Sequence, residues 1–342
     1  MKKKMYLEWV RVIAIVMVIL NHSDLYYTFY SNTDNVITFL CSLLVSSICR
    51  INVPLFMMVT GALLIPKEED WKRVLKKRVV RILATLVVFS FFLYCLQCFV
   101  WKQSVFSLTD FVRRLIERDI QPSYWYLYEY LGILLVLPFT GILARNMSRG
   151  IIKYLLILCG GLKVGLSLTS VLGGFTPAID LFVLNDSVFY VLMGYYLEDR
   201  DEEGRLESLS YGKAGMGILA GILLTSTLVV GDRWIAGEYQ EAVLDVFKPV
   251  MVILFFIMIK KIGTTCTNRL LQDIIGKLGA CVFGIYLVER IGQKVFLPLY
   301  LFLCEKTFGV IACSIYVVCI FAFSLCLTLI LRKIPGLRRL LG

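Results

Sequence analysis

Arg11 and His22 are the two residues of this 342-residue chain whose types and spacing most directly suggest chemistry. They stand in one apolar stretch. On a helix, their separation is about three turns, ~16 Å along the axis, with an angular offset of only about 20°, so both face one groove. His22 is the only histidine, and an imidazole can act as a base at neutral pH. The bland alternative is a snorkelling arginine with a histidine satisfied by a neighbouring helix. Arg50 lies in the second apolar stretch beside Asn52-Val53-Pro54, where proline removes a backbone hydrogen bond and opens the helix. It either pairs with a carboxylate such as Glu289 or lines a hydrated cavity, and the two are compatible.

Further polar groups interrupt apolar surroundings. The basic loop from Lys72 to Arg81 either contacts lipid headgroups or holds phosphates; Arg78 and Arg81, three apart, share a helix face and can clamp a pyrophosphate. Tyr124-Trp125-Tyr126-Leu127-Tyr128-Glu129 reads as an interfacial aromatic belt, and Glu129 goes beyond that reading. Glu289, Arg290 and Lys294, with Asp180, Asp186, Asp245 and Lys248, are expected to form an outward-facing polar pocket, some of them capping helices. Cys95-x-x-Cys98 lies in an apolar helix with no partner motif and reads as core filling.

The elements that must position these residues are membrane spans. Hydrophobic residues make up 58% of the chain and charged ones 18%, with mean hydropathy +0.78, a surplus that a soluble domain cannot hide. Ten apolar segments are long enough to span, at about 8–28, 38–64, 80–101, 124–144, 151–171, 178–197, 213–231, 244–260, 278–301 and 308–331. The expectation is an all-α, polytopic integral membrane protein forming one unit over 1–342. Alternate loops carry 24 Lys and Arg on one side and six on the other, which predicts both termini in the cytoplasm. This asymmetry explains most of the +11 net charge without nucleic acid. Three lysines followed by an apolar run resemble a signal peptide, but no small-x-small cleavage site follows, so the first helix is expected to remain. Leu108, Phe111, Val112, Leu115, Ile116 and Ile120 recur at helical spacing, predicting an amphipathic helix over about 107–120 on the outer interface. An odd, unpatterned set of 11 cysteines is no disulfide framework, and with one histidine no metal site is expected. A secreted module, a DNA-binding domain and a disordered chain are excluded.

In this order and spacing, several segments resemble the acyltransferase family 3 membrane proteins, whose members O-acylate sugars and other envelope acceptors. Arg11 through Asn21-His22 is similar to the family's Arg-x10-His first helix. Arg50-Ile51-Asn52-Val53-Pro54-Leu55-Phe56-Met57-Met58-Val59-Thr60-Gly61 is similar to its Arg-x-x-Val-Pro-Leu-Phe-Phe-x-x-Ser-Gly segment. Lys77-Arg78-x-x-Arg81, Trp125-Tyr126-Leu127-Tyr128, Met193-Gly194-Tyr195-Tyr196-Leu197 and Phe283-Gly284-Ile285-Tyr286-Leu287 also match. Val288-Glu289 stands where members often carry a histidine, so Glu289 either replaces that polar partner or the role is lost. Glu129 comes one residue early against the Trp-Ser-Leu-x-x-Glu of members acting on large polysaccharides. The shorter form related to enterobacterial common antigen acetylation is the nearer guide.

The resemblance implies a multi-pass protein of a bacterial inner or plasma membrane that moves an acetyl group from cytoplasmic acetyl-CoA to a hydroxyl of an envelope or exopolysaccharide sugar. It implies His22, Arg50 and Glu289 as the catalytic set. Arg11, Lys77, Arg78 and Arg81 would hold CoA, and Trp125, Tyr128, Glu129, Tyr286 and Asp186 would hold a glycan or lipid-linked sugar acceptor. Acetyl-CoA would enter as substrate, without a metal; membrane lipids and not nucleic acid would be the other partners. The rival reading is an amino-acid or small-solute permease similar to the membrane half of serine racemases, and a third is a scaffold subunit of a polysaccharide export complex.

Overall fold

The computed structural model describes residues 4–23, 36–173, 185–200, 208–236 and 241–341. Asp180 lies outside the described residues, as does the start of the span expected from 178. The described residues are mostly helical, joined by short turns and loops, with no strand among them. In chain order the helices are α1 (Met5–His22), α2 (Val36–Cys49), α3 (Asn52–Leu64), α4 (Trp71–Val100), α5 (Leu108–Glu117), α6 (Trp125–Asn146) and α7 (Arg149–Gly173). They continue with α8 (Asp186–Tyr195, extended by a wide turn over Tyr196–Arg200), α9 (Tyr211–Ala236), α10 (Lys248–Thr265), α11 (Arg269–Lys306), α12 (Gly309–Leu331) and α13 (Pro335–Leu341).

Among the described residues, eight helical stretches are long and apolar enough to cross a membrane, counting Phe39–Leu64 as one. The chain is an all-α polytopic membrane protein. The other two expected segments also form helices: α8, described from Asp186, and α10, which carries Lys248, Lys260 and Lys261 within its 18 residues. Three boundaries differ from expectation. The Lys72–Arg81 segment is not a loop: the third span begins at Trp71, includes a wide turn over Val74–Val79 and carries its cations on a helix, whose long stems reach polar surroundings from an apolar helix. The ninth predicted span begins at Arg269, where Asn268 caps the helix by accepting from the Leu271 N–H. The break in the second span falls at Arg50 and Ile51 rather than at the proline. Pro54 sits in the first turn of α3, where an N–H has no helical partner to lose.

The amphipathic helix forms as α5, capped by Ser107 and ended by Arg118 in the left-handed conformation (φ 61°). Its apolar stripe splits: Phe111 and Ile120 are buried, while Leu108, Val112 and Ile116 remain exposed. One flank therefore docks on the bundle and the other is left for an apolar environment.

Two close approaches fix the helices that matter for the site. At the crossing of α3 and α8, a Cβ on Gly61 would lie 1.8 Å from the Val191 carbonyl oxygen, and one on Gly194 would lie 2.0 Å from that of Met58. Only glycine lets the backbones meet, and such small-residue contacts drive helix association where lipid removes the hydrophobic drive. On the other side of α1, Gly263 of α10 and Gly279 of α11 make room for Tyr6 and Glu8. Glu198 then ties three elements together, accepting from Lys4 and Tyr6 and pairing with Lys260 at 3.4 Å. Helix α1 is thus held among α3, α10 and α11, with its Lys4 end fixed against the end of α8. That end of the bundle, which also carries Arg78 and Arg332, is called the basic end below.

Candidate active site

Helix α1 presents Glu8, Arg11, Val18 and His22 on one stripe, and all four line one cavity of about 390 Å³. The expectation that Arg11 and His22 share a groove holds. At the basic end, Arg78, Arg81 and Leu341 complete the lining; deeper in, the walls are Phe56 and Thr60 of α3, Tyr126 and Tyr130 of α6, and Phe283 and Tyr286 of α11. A second cavity, about 290 Å³, lies toward the opposite end and is lined by Asn21, Arg50, Asn52, Glu129, Asp186, Tyr190, Asp245 and Lys248, among others. His22, Val53 and Trp125 line both.

Helical geometry explains the division. On α6, Tyr126 and Tyr130 are four apart and face the basic-end cavity, Glu129 faces the other, and Trp125, at the start of the helix, lies on the wall of both. On α3, Phe56, Thr60 and Leu63 face the first, and Asn52 and Met57 the second. The loss of helix at Arg50–Ile51 opens the space into which α3 begins.

At the junction, His22 Nδ1 is hydrogen-bonded to Glu289 Oε1. Glu289 is 1% exposed, and its second oxygen has no hydrogen-bond partner among the described residues. A carboxylate so buried is tolerated only against a proton donor or a cation, and the imidazole supplies it. With the carboxylate accepting from Nδ1–H, Nε2 carries the lone pair. Two reciprocal bonds fasten the start of α6 to α11 around this pair: Tyr124 donates to the Leu287 carbonyl at 2.6 Å, and Tyr286 donates to the Ser123 carbonyl at 2.5 Å. Tyr126 packs edge-on against Tyr286 at 5.8 Å and stacks on Tyr130, also at 5.8 Å, making an aromatic wall.

The electrostatics of the two cavities differ. The first has Arg11, Arg78 and Arg81 against the single carboxylate of Glu8, which bonds Arg11 at 3.2 Å. Arg78 is also gripped from outside the cavity by Glu69 through two bonds of 2.8 and 2.7 Å. That fork holds the Glu69 carboxyl below its ordinary range. The second cavity has Arg50 and Lys248 against Glu129, Asp186 and Asp245. Asp186 bridges Lys163 at 2.5 Å and Lys248 at 2.9 Å, and Lys248 also meets Asp245 at 3.1 Å.

The structure therefore brings together His22, Arg11, Arg78, Arg81, Tyr286 and Trp125 around the first cavity and Arg50, Glu129 and Asp186 around the second, while Glu289 lies behind His22 and lines neither. Two expected site residues stand apart. Lys77 is exposed and lines neither cavity, because it lies one residue from Arg78 in the wide turn and so points to a different side of the helix. Tyr128 donates to the Leu115 carbonyl at 2.5 Å and packs under Arg118, so it anchors α5 instead. Arg290 bonds Gln293 at 2.7 Å and Lys294 lies over Trp101; neither lines a cavity. The carboxylate of Glu289 is engaged by His22, not by the Arg50 pairing weighed from sequence. Sequence reasoning missed Glu8, whose position three before Arg11 was a usable signal, and Tyr190, which lines the second cavity and whose buried hydroxyl has no hydrogen-bond partner among the described residues.

A family model described as an acyltransferase domain matches residues 5–333. The chain belongs to acyltransferase family 3. The match spans α1 to α12 and ends before α13. Comparison with curated proteins and with solved structures returned no match. As a family 3 member, the protein is a membrane acyltransferase, and its site must bring an acyl donor and an acceptor to one point.

Proposed function

We propose that this acyltransferase moves an acetyl group from acetyl-CoA, entering from a cytoplasmic basic end, to a hydroxyl of an envelope or exopolysaccharide sugar that enters the second cavity from outside a bacterial cell membrane. The observation that carries this reading is the position of the His22–Glu289 pair where the two cavities meet.

The donor side suits CoA. Arg11 and Arg81, with the remaining donors of Arg78, offer planar forks to phosphate oxygens. From Arg11 to His22 the axial distance is ~16 Å, a span for the extended pantetheine arm, which runs past Phe56, Tyr126 and Tyr286. Excluding water from this stretch protects the thioester.

In the reaction, His22 Nε2 takes the proton of the acceptor hydroxyl as its oxygen attacks the thioester carbonyl carbon. The negative charge moves to the carbonyl oxygen, and the Arg50 guanidinium stabilises it. Collapse breaks the carbon–sulfur bond; the thiolate takes the proton from the imidazolium and CoA departs toward the basic end. Glu289 holds the ring in the productive tautomer and stabilises the imidazolium. General base catalysis of this kind contributes ~10²- to 10⁴-fold. The test is acetyl-CoA-dependent O-acetylation of the native glycan in cells carrying His22→Ala at normal protein level. Loss of acetylation is expected; full acetylation would overturn the role of His22.

A further inference from the structure

A third cavity, about 640 Å³, lies away from the other two, between α7 and α10. Its floor is the face of α8 that carries Phe189, Met193 and Tyr196, all buried. Its lips include Ile157, 65% exposed, and Val250, 47% exposed, so the groove opens sideways from the bundle. Gly160 and Gly161 leave its α7 wall without side chains, and a Cβ on Gly161 would meet nothing within 4 Å.

Polar charge is confined to one end. Arg149 and Lys153, four apart on α7, line the groove at the basic end, and among the described residues no carboxylate lines it. From Lys153 to Val164, the farthest lining residue of α7, the helix rises ~16 Å. One leaflet of a bilayer has a hydrocarbon depth of ~15 Å, half of the usual ~30 Å core. The groove is therefore apolar over the depth of one leaflet and cationic where that leaflet's headgroups lie.

We infer that this groove is a binding site for an anionic phospholipid of the leaflet at the basic end, with one acyl chain between α7 and α10 and the phosphate on Arg149 and Lys153. A zwitterionic lipid places a choline or amine beside the same two cations and loses that advantage. Free phosphate lacks the apolar part. The site is independent of the transfer chemistry, since no residue of the groove lines the cavities at His22.

The experiment is native mass spectrometry of the full chain released from micelles containing equal amounts of phosphatidylglycerol and phosphatidylcholine with identical chains. The wild type should retain one phosphatidylglycerol in preference to phosphatidylcholine. Lys153→Gln should lower that preference about fivefold, as expected for one cation near a lipid surface, and Arg149→Gln with Lys153→Gln should abolish it. Gly161→Leu fills the groove and should reduce retention of both lipids. Equal retention of the two lipids by the wild type, or retention of phosphatidylglycerol unchanged in the Lys153→Gln and Arg149→Gln/Lys153→Gln proteins, would overturn the inference; these surface substitutions decide the matter even where Gly161→Leu fails to fold.

Discussion

The two cavities that meet at His22 are built from the same helices yet differ in charge and wall chemistry. The one at the basic end sets three guanidinium groups against one carboxylate and continues inward between aromatic rings; the other balances two cations against three carboxylates and offers amides and a tyrosine hydroxyl. An anionic ligand with a long uncharged arm fits the first, and a polyhydroxylated neutral ligand fits the second. One residue of helical phase on α6 separates Tyr130, on the first wall, from Glu129, on the second, while Trp125 borders both. Under the proposed function, the two substrates are kept apart by helical register rather than by separate domains.

Several substitutions would break or sharpen that contrast. Glu289→Gln preserves size and a hydrogen-bond acceptor but removes the buried charge beside His22. Transfer should fall by ~10²- to 10⁴-fold, while CoA affinity, set about three turns away, should stay unchanged; a matched loss of CoA binding in calorimetry would show that the junction belongs to the donor cavity alone. Arg81→Ala comes next, with CoA binding weakened about tenfold, the scale of one charge-assisted hydrogen bond. Arg78→Ala should cost less, because Glu69 already offsets its charge. The Glu69 pKa is lowered, so this pair is intact at neutral pH and breaks only as pH falls through that lowered value. Equal effects of the two arginine substitutions at pH 7 would contradict the offset. Tyr190→Phe is the mildest: it should raise the acceptor KM by a few-fold, the net contribution of one neutral hydrogen bond, and leave CoA affinity unchanged. A change in CoA affinity instead would erase the distinction between the cavities.

Much of the frame is legible in the sequence because a lipid environment forces a long apolar run for each span and makes every charge within one conspicuous. Arg11, His22, Arg50 and Glu289 were visible on that ground, and the helical repeat alone put the first two on one face. Partner choice was not legible. The His22–Glu289 pair joins residues 267 apart, and nothing local separates it from an Arg50–Glu289 pair. The Gly61–Gly194 crossing is equally non-local, although it fixes how α3 meets α8. That Lys77 and Tyr128 line neither cavity was not legible for a finer reason, since motif membership ignores the turn of the helix between neighbouring residues. The helical start at Trp71 was hidden by its lysines and arginines, which read as a loop until their stems are given a helix to leave from.

The central claim is that donor and acceptor reach His22 from opposite ends of the bundle, and sealed proteoliposomes of known protein orientation test it most directly. With acetyl-CoA supplied only to the basic end and the acceptor glycan only to the other, acetylated product should form, and confining both to either side alone should give none. Equal product with both substrates on one side would contradict the account.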